Sequence, residues 1–252
     1  MAEAGPGKIR LFSEFAGPQQ LDTLTATSHY IGPFRACGEG FADSDAGFQD
    51  QESGGNLSGT LRIESANTDQ DSSGLVTSKM FDVALMAPIV MEARLQFNNL
   101  LTKEFFFGLS DVNEDDVALE TDILGRTGNT TLTLTSSNLV GFFFDAELTA
   151  SERWHGVFNG GTTTGVTNSS NIELTIAAND IIAAEFEIIR LEIDPDGLAR
   201  WFVNGVLAQT QAGAVSTTTD LAMNLLVGAK GSAFEEVDVE YVLVTANRDW
   251  TV

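Results

Sequence analysis

The sequence predicts an all-β fold, an antiparallel β-sandwich with an extended N-terminal arm, on the strength of three observations. IVMEARLQF (89–97) alternates apolar and polar residues with the period of two that indicates a half-buried strand. EFFFGLS (104–110) and LVGFFFD (139–145) are apolar on both faces, which is typical of strands covered from either side. Gly, Asn and Ser separate such segments throughout, and helix signals are sparse.

The strands follow one another at short intervals. In chain order we expect them at 9–15, 57–65, 89–97, 104–110, 131–135, 139–145, 154–159, 172–177, 222–229 and 237–246. Only two segments, 118–126 and 179–188, could hold a helical turn or two.

A meander of three strands is predicted for EIIRLEIDPDGLARWFVNGVLAQT (187–210). Asp194-Pro195-Asp196-Gly197 places Pro and Gly at the second and fourth positions of a tight turn. Asn204-Gly205 is the dipeptide that most favours a two-residue type I′ hairpin.

The N-terminal part of the chain differs in composition from the rest. Residues 16–56 are rich in Gly, Asp and Gln and show little alternation. We therefore expect residues 1–56 to form one strand followed by an extended arm or loop, and residues 57–252 to form the sandwich, as one domain overall.

Charge excludes some classes of partner. The chain has 36 acidic and 13 basic residues, a formal charge of −23, so nucleic acid and acidic lipid surfaces would repel it. Its N-terminus lacks the apolar run of a signal peptide, so we expect no signal-directed secretion. Cys37 is the single cysteine, which precludes an intrachain disulfide and is expected to be an inert thiol.

Four segments, in order, resemble the concanavalin A-like lectin/glucanase jelly roll: EARLQF, FFFGLSD, RLEIDPDGLARWFVNG and VDVEYVLVTA. The resemblance covers roughly residues 57–248 and implies a jelly-roll sandwich whose last strand pairs near the N-terminal one. Because this fold hosts lectins, glycosidases and viral structural proteins, the resemblance does not choose among these functions.

The last predicted strand raises the question of catalysis. Glu236, Asp238 and Glu240 alternate along it and would line one face, as the carboxylates of retaining glucanases do. In the family's glucanases the carboxylate strand precedes the Trp-containing hairpin, whereas here WFVNG (201–205) comes first. We therefore expect these acids to face water or a neighbouring subunit. The opposite face should seal the core with Val237, Val239, Tyr241 and Leu243.

Acidic turns are the candidate metal sites. DVNEDDVALETD (111–122) has ligand types at EF-hand-like spacing, although Asp116 occupies the position that requires Gly. The calcium candidates are Asp111, Asn113, Asp115 and Asp122. Similar turns lie at 43–50 and 67–74. With His29 and His155 as the only histidines, a zinc site built on several His or Cys residues is excluded.

One segment has the residue types of a sugar site. WHGVFNGG (154–161) combines an aromatic ring, which could stack on a sugar, with polar loop residues. Trp154 and Asn159 are the carbohydrate candidates. Trp154 and Phe158 share strand parity, however, so both could equally belong to the core.

These observations favour a non-enzymatic structural protein. Strong acidity, a loose Gly/Asp-rich arm and a jelly roll without a signal peptide resemble tailed-phage virion proteins. We expect a capsid decoration or cement protein, located in the virion, that forms homo-oligomers and contacts the major capsid protein or another virion protein. The alternatives are an adsorption module that recognises host glycans and, less favoured, a glucanase. We expect no cofactor; calcium is the one ion that the sequence leaves open as a ligand.

Overall fold

The computed structural model describes residues 7–15, 29–39, 47–50, 59–149, 151–175 and 180–249. They form two stacked antiparallel sheets, which confirms the predicted concanavalin A-like sandwich. The described residues form eighteen strands, one four-residue α-helix, α1 (Val83–Met86), a π-helical turn at Leu119–Ile123 and a 3-10 turn at Ser169–Asn171.

The first nine strands are β1 (Lys8–Ser13), β2 (Tyr30–Ile31), β3 (Phe34–Cys37), β4 (Gly47–Asp50), β5 (Leu61–Glu64), β6 (Ser72–Val76), β7 (Phe81–Asp82), β8 (Ile89–Gln96) and β9 (Lys103–Ser110). The others are β10 (Leu124–Gly128), β11 (Thr131–Leu134), β12 (Leu139–Asp145), β13 (His155–Asn159), β14 (Glu187–Ile193), β15 (Ala199–Val203), β16 (Val206–Gln211), β17 (Asp220–Ala229) and β18 (Glu236–Asn247).

Each sheet is built from strands distant in sequence. The first sheet has the order β16-β15-β14-β8-β18-β5-β4, with β1 also paired to β18. The second has the order β13-β12-β9-β17-β6-β3-β2, with β7 also paired to β17. β10 and β11 form a separate hairpin. The pairing of β1 with β18 confirms that the last strand returns to the first.

Aromatic residues fill the space between the sheets. Phe97, which follows β8 of the first sheet, contacts Phe105 of β9, with ring centroids 5.4 Å apart. Trp201 of β15 crosses the interface and donates a hydrogen bond from Nε1 to the carbonyl oxygen of Gly141 at 2.7 Å. Both contacts join the first sheet to the middle strands of the second.

The second sheet is covered on both faces. All residues of β9 and β12 are buried, as their apolar sequences predicted. The face away from the first sheet is covered by the segment that carries the π-helical turn, where the amide of Leu119 donates to Ser72 Oγ at 2.9 Å. Residues 111–135, a loop with the β10–β11 hairpin, thus lie over this face.

The predicted meander is confirmed in detail. β14, β15 and β16 are successive antiparallel neighbours. Asn204 and Gly205 have φ values of 50° and 80°, which is the pair of positive values that a type I′ turn requires. Gly197 has a φ of 77° at the end of the other turn, and its amide donates to the carbonyl of Asp194.

Two secondary-structure predictions need correction. No strand forms over residues 172–175, the described part of the segment predicted at 172–177; Glu173 makes only an isolated bridge to His155. Residues 180–188 contain a turn and the start of β14 but no helix. The helical turn predicted within 118–126 is present.

Strands also lie within residues 1–56, where we predicted one strand and then an arm. β3 pairs with β6 inside the second sheet, and Phe34 and Cys37 are fully buried. β4 pairs with β5 at the edge of the first sheet. The domain division at residue 56 stays a prediction.

A β-bulge in β18 overturns the predicted side-chain pattern of that strand. Val239 pairs with Leu95 and Tyr241 with the next residue, Arg94, so Glu240 is an extra residue. Beyond the bulge the alternation reverses: Val242 and Val244 are buried, whereas Tyr241 and Leu243 turn outward. The prediction that those two outward residues seal the core is therefore wrong.

Candidate functional site

The acidic residues of β18 lie on the outer face, by which we mean the face of the first sheet turned away from the second. Arg62 of β5 donates two hydrogen bonds to Asp238, from Nε at 2.8 Å and from Nη2 at 3.1 Å. Its Nη1 also lies 2.8 Å from Glu236 Oε2. Glu240 forms an ion pair with Arg94. All three carboxylates are thus engaged by arginine. Glu236 and Glu240 are partly exposed, whereas Asp238 is buried, so Asp238 does not face water as predicted.

Such pairing opposes the roles that a glycosidase needs. A retaining enzyme requires one ionised nucleophile and one protonated acid on either side of a bound sugar. Arg62 instead holds Glu236 and Asp238 together in a single ion-paired group, and burial raises the pKa of Glu236 although Arg62 lowers it. No separated acid and nucleophile result.

Aromatic rings accompany the charges on the outer face. The rings of Phe12 and Tyr241 lie 6.3 Å apart between centroids, and Tyr241 Oη donates to Glu92 Oε1 at 2.8 Å. The Arg94 guanidinium lies 4.4 Å from the centre of the Phe186 ring. This face therefore combines charge pairs with partly exposed apolar surface.

A second group of carboxylates surrounds a buried lysine on the covered face of the second sheet. Lys230 Nζ lies 2.6 Å from Glu120 Oε2 and 3.6 Å from Asp145 Oδ2. It also lies 3.7 Å from Glu104 Oε2 and 3.8 Å from Glu147 Oε2. We call these five residues the Lys230 cluster.

The strand register brings the Lys230 cluster together. Glu104 of β9 is the register partner of both Asp145 of β12 and Gly228 of β17, and Lys230 lies two residues beyond Gly228 on the same side. Two adjacent strands thus place their carboxylates next to the lysine. The π-helical turn adds Glu120 from above.

Burial governs protonation in the Lys230 cluster. Glu104 and Asp145 are fully buried, and burial raises the pKa of each carboxyl group although Lys230 lowers it. Burial lowers the pKa of Lys230, but Glu104, Asp145 and Glu120 together raise it by more, so its net pKa is above the usual value. Because neither carboxylate reaches solvent, no external substrate can reach this pair.

Sequence reasoning missed this cluster. Its members span residues 104 to 230, with no local spacing that marks a site. The one signal was the placement of Glu104 and Asp145 at the ends of fully apolar strands, where an acidic residue must be buried with a partner.

The calcium candidates do not converge. Asp111 accepts hydrogen bonds from Ser136 and Asn138, Asp115 pairs with Arg35, and Asp122 accepts from the amide of Ala118. Asn113 lies beside Arg35, which donates to its carbonyl oxygen. In the described part of the chain, no group of three or more His, Cys, Asp or Glu residues could hold a metal ion. Asp43 and Asp45, from the turn at 43–50, lie outside the described residues.

Of the two carbohydrate candidates, Trp154 lies inside the protein and Asn159 is half-buried. Trp154 is 1% exposed, and its Nε1 donates to Glu187 Oε2 at 2.8 Å. Its ring packs against four phenylalanine rings, those of Phe97, Phe105, Phe142 and Phe144. Asn159 donates to the carbonyl of Ser136. Trp154 therefore presents no ring face to a sugar.

An open cavity of about 450 Å³ lies nearby. It is lined by Thr149, Ser151, Glu152, Arg153, Glu173 and Asp180. Arg153 pairs with both Glu173 and Asp180, and none of the six lining residues is aromatic. The cavity thus lacks the ring on which a sugar would stack.

His155 is buried next to Trp154, and neither of its ring nitrogens has a hydrogen-bond partner among the described residues. Burial lowers the pKa of His155 to about 4, from an ordinary value of 6.5. His155 therefore binds a proton below about pH 6.5 in the unfolded chain but only below about pH 4 in the folded protein.

We expect stability to fall by up to about 3 kcal/mol from His155 alone as the pH drops through this window. Glu104, Asp145 and Glu187, whose pKa values are raised, act in the opposite direction. A comparison of wild type with His155→Leu by urea denaturation at pH 7 and pH 5 isolates the histidine. The variant should lose less stability on acidification; equal losses would contradict the assignment.

Within the described residues, no helix has the length and apolar content needed to cross a bilayer.

Comparisons with known proteins define the fold and leave the activity open. No protein-family model and no curated protein matches the chain. Among solved structures, a protein of unknown function from Shewanella oneidensis is 13% identical with a TM-score of 0.57, covering 100% of this chain and 91% of that one. The endo-β-1,3-glucanase of Pyrococcus furiosus is 19% identical with a TM-score of 0.55, covering 94% of each chain.

A lectin domain is also similar. The carbohydrate recognition domain of Emp46p, in a potassium-bound form, is 11% identical with a TM-score of 0.50, covering 73% of this chain and 82% of that one. At these identities the similarity shows the concanavalin A-like fold alone. Since the fold occurs in lectin domains and in endo-glucanases, it does not decide whether this protein is an enzyme.

Proposed function

We propose that this protein is a non-enzymatic structural protein of a phage virion, which decorates or cements the capsid. One observation carries the non-enzymatic part. Of the two carboxylate groups described above, one is ion-paired with arginine on the outer face and the other is sealed under residues 111–135. Neither offers a reachable acid and nucleophile to a sugar.

The outer face is the surface we propose for docking. Five of the chain's basic residues lie there, namely Arg10, Arg62, Arg94, Arg190 and Arg200. They pair with nearby carboxylates, Arg190 with Glu192 two residues along the same strand and Arg200 of β15 with Asp194 at the end of β14. In a chain of charge −23, this face is nearly balanced. Another acidic protein can therefore approach here with less repulsion than elsewhere.

Partly exposed rings supply the apolar part of such an interface. Phe12 is 40% exposed, and Arg190 lies over Phe202 at 5.6 Å from the ring centre. Arginine and aromatic residues are the side chains most often found at the energetic centre of protein interfaces. The partner that fits is a protein shell, such as one built from the major capsid protein, and the acidic remainder of the chain would face solvent.

Arg190→Glu is expected to weaken binding to such shells by about tenfold or more, because it places a carboxylate in the middle of the docking face. The measurement is co-sedimentation of the purified protein with shells of its major capsid protein. Arg153→Glu changes the net charge equally but lies beside the open cavity, away from the outer face, so it should leave binding nearly unchanged. Absence of wild-type binding, or equal weakening by both variants, would refute the proposal.

Glycan recognition is the second candidate, favoured by the exposed Phe12 ring with Arg10 lying 5.0 Å from its centre. A ring flanked by polar groups is a common platform for a sugar. A glycan array probed with calcium present should then give hits that Phe12→Ala abolishes. An array without hits would refute glycan recognition and leave the structural role as the remaining candidate.

A further inference from the structure

We propose that Lys230 and Asp145 condense into an intramolecular amide, with Glu104 as the acid–base that carries the protons. The three side chains extend from three adjacent strands, or their ends, of the second sheet. Lys230 Nζ lies 3.6 Å from Asp145 Oδ2 and 3.7 Å from Glu104 Oε2. The amine therefore lies in contact with the carboxyl group that it would attack and with the group that would take its proton.

The carboxyl group of Asp145 is arranged as an electrophile. Its Oδ1 accepts a hydrogen bond from the backbone amide of Glu147 at 2.8 Å. Such a donor would stabilise the negative charge that develops on this oxygen when an amine adds to the carbon. Oδ2, on the side of Lys230, makes no hydrogen bond among the described residues and is the oxygen free to leave.

Glu104 is placed to move protons. Both of its oxygens are buried and lack a hydrogen-bond partner in the described part of the chain. Glu104 and Asp145 are register partners on neighbouring strands, so their side chains are in contact range on one face. Burial raises the pKa of Glu104, which makes the carboxyl group a competent proton acceptor and donor in turn.

The chemistry balances without any other reagent. Glu104 takes a proton from the Lys230 ammonium, and the neutral amine adds to Cγ of Asp145. Glu104 returns that proton to Oδ2, the nitrogen loses a second one to the same oxygen, and the Cγ–Oδ2 bond breaks. One C–N bond forms and one water leaves. The product is a neutral amide that joins the end of β12 to the end of β17.

The surroundings favour condensation over hydrolysis. Glu104 and Asp145 are 0% exposed, and the Lys230 side chain is 4% exposed. The released water leaves the closed site during local opening of the chain, and burial keeps solvent away from the amide. The neutral amide also replaces buried charges whose desolvation is costly. Glu120, 2.6 Å from Nζ, holds the proton on the lysine and is expected to slow the reaction.

Intact-mass spectrometry of the purified full-length chain tests the proposal. The wild-type protein should be lighter than its sequence mass by one water, in a fraction that increases on incubation. Lys230→Arg keeps the positive charge but cannot condense, and Asp145→Ala lacks the electrophile, so both should keep the full mass. Glu104→Gln should form at least tenfold less product, while Glu120→Gln, a matched change in the same cluster, should form as much or more.

Peptide mapping distinguishes this bond from other dehydrations, because Asp196-Gly197 can lose a water by closing to a succinimide. Trypsin should fail to cut after Lys230 and should release peptide 127–153 joined to peptide 201–248. Thermal unfolding of Lys230→Arg shows whether the unlinked variant still folds. A full-length mass that stays equal to the sequence mass after incubation, with cleavage after Lys230, would overturn the proposal.

Discussion

Replacement of Lys230 by methionine is expected to lower the free energy of unfolding at neutral pH by about 3–5 kcal/mol, because it leaves buried carboxylates without their counter-charge. Glu104 and Asp145 are fully buried, and Lys230 is the cation nearest to both. Removal of one partner from a buried ionic group costs more than the group contributes when intact, since the remaining charge cannot be solvated. Urea denaturation of the variant and of wild-type protein that still has its full sequence mass, and is therefore unlinked, measures the difference.

Acidification should reverse most of this loss. In the folded state the pKa values of Glu104 and Asp145 lie above their ordinary values, so the folded protein binds protons that the unfolded chain does not. Lys230→Met raises these two pKa values further. The loss of stability in the variant is therefore complete at neutral pH and becomes smaller as the pH falls toward about 4.5. Lys79→Met, at an exposed position, should cost less than about 0.5 kcal/mol. A penalty independent of pH would contradict the electrostatic explanation.

Trp154→Ala is expected to destabilise the protein by about 3–5 kcal/mol, through the cavity it leaves among four phenylalanine rings. The variant also removes the indole N–H that donates to Glu187, a largely buried carboxylate. The loss of this donor adds a desolvation cost to the lost packing. Chemical denaturation followed by far-UV circular dichroism gives the value.

Two further variants give the prediction its controls. Trp154→Phe keeps an aromatic ring but loses the hydrogen bond, so it should cost less than the alanine variant. Phe234→Ala removes a ring that is 43% exposed and should change stability by less than about 1 kcal/mol. A Trp154→Ala protein as stable as Phe234→Ala would mean that this ring is not part of the core.

Local periodicity predicted the central strands well and failed where a strand contains small residues. β9, β12 and the 187–210 meander carry strong apolar or turn signals. β6 (Ser72–Val76) begins with Ser-Ser-Gly and lies in a segment that we interpreted as an acidic turn, yet all five of its residues are buried. A Cβ at Gly74 would lie 2.0 Å from the carbonyl oxygen of Leu225, so only glycine allows the neighbouring strand to approach. That requirement arises from tertiary packing and has no local signature.

The acids of β18 were predicted to lie outside a catalytic cleft, and the structure pairs them with arginines on the outer face, with Asp238 buried. Their partners could not be predicted, because Arg62 lies more than 170 residues from Asp238 and meets it only through strand pairing. The Lys230 cluster escaped notice for the same reason. Sequence patterns report on neighbours along a strand, whereas these sites are formed across strands.

The single extra residue in β18 determines what the protein shows to its surroundings. Before Glu240 the strand pairs with β5 on one side, and after it with β1, so the bulge lies at the junction of two pairings. Without it, uninterrupted alternation would point Tyr241 and Leu243 inward and Val242 and Val244 outward. The ring beside Phe12 therefore reaches the surface through an insertion of one residue. Loss or gain of one residue here would replace an outward surface of Tyr241 and Leu243 by one of Val242 and Val244, although the side chains of the strand would be the same.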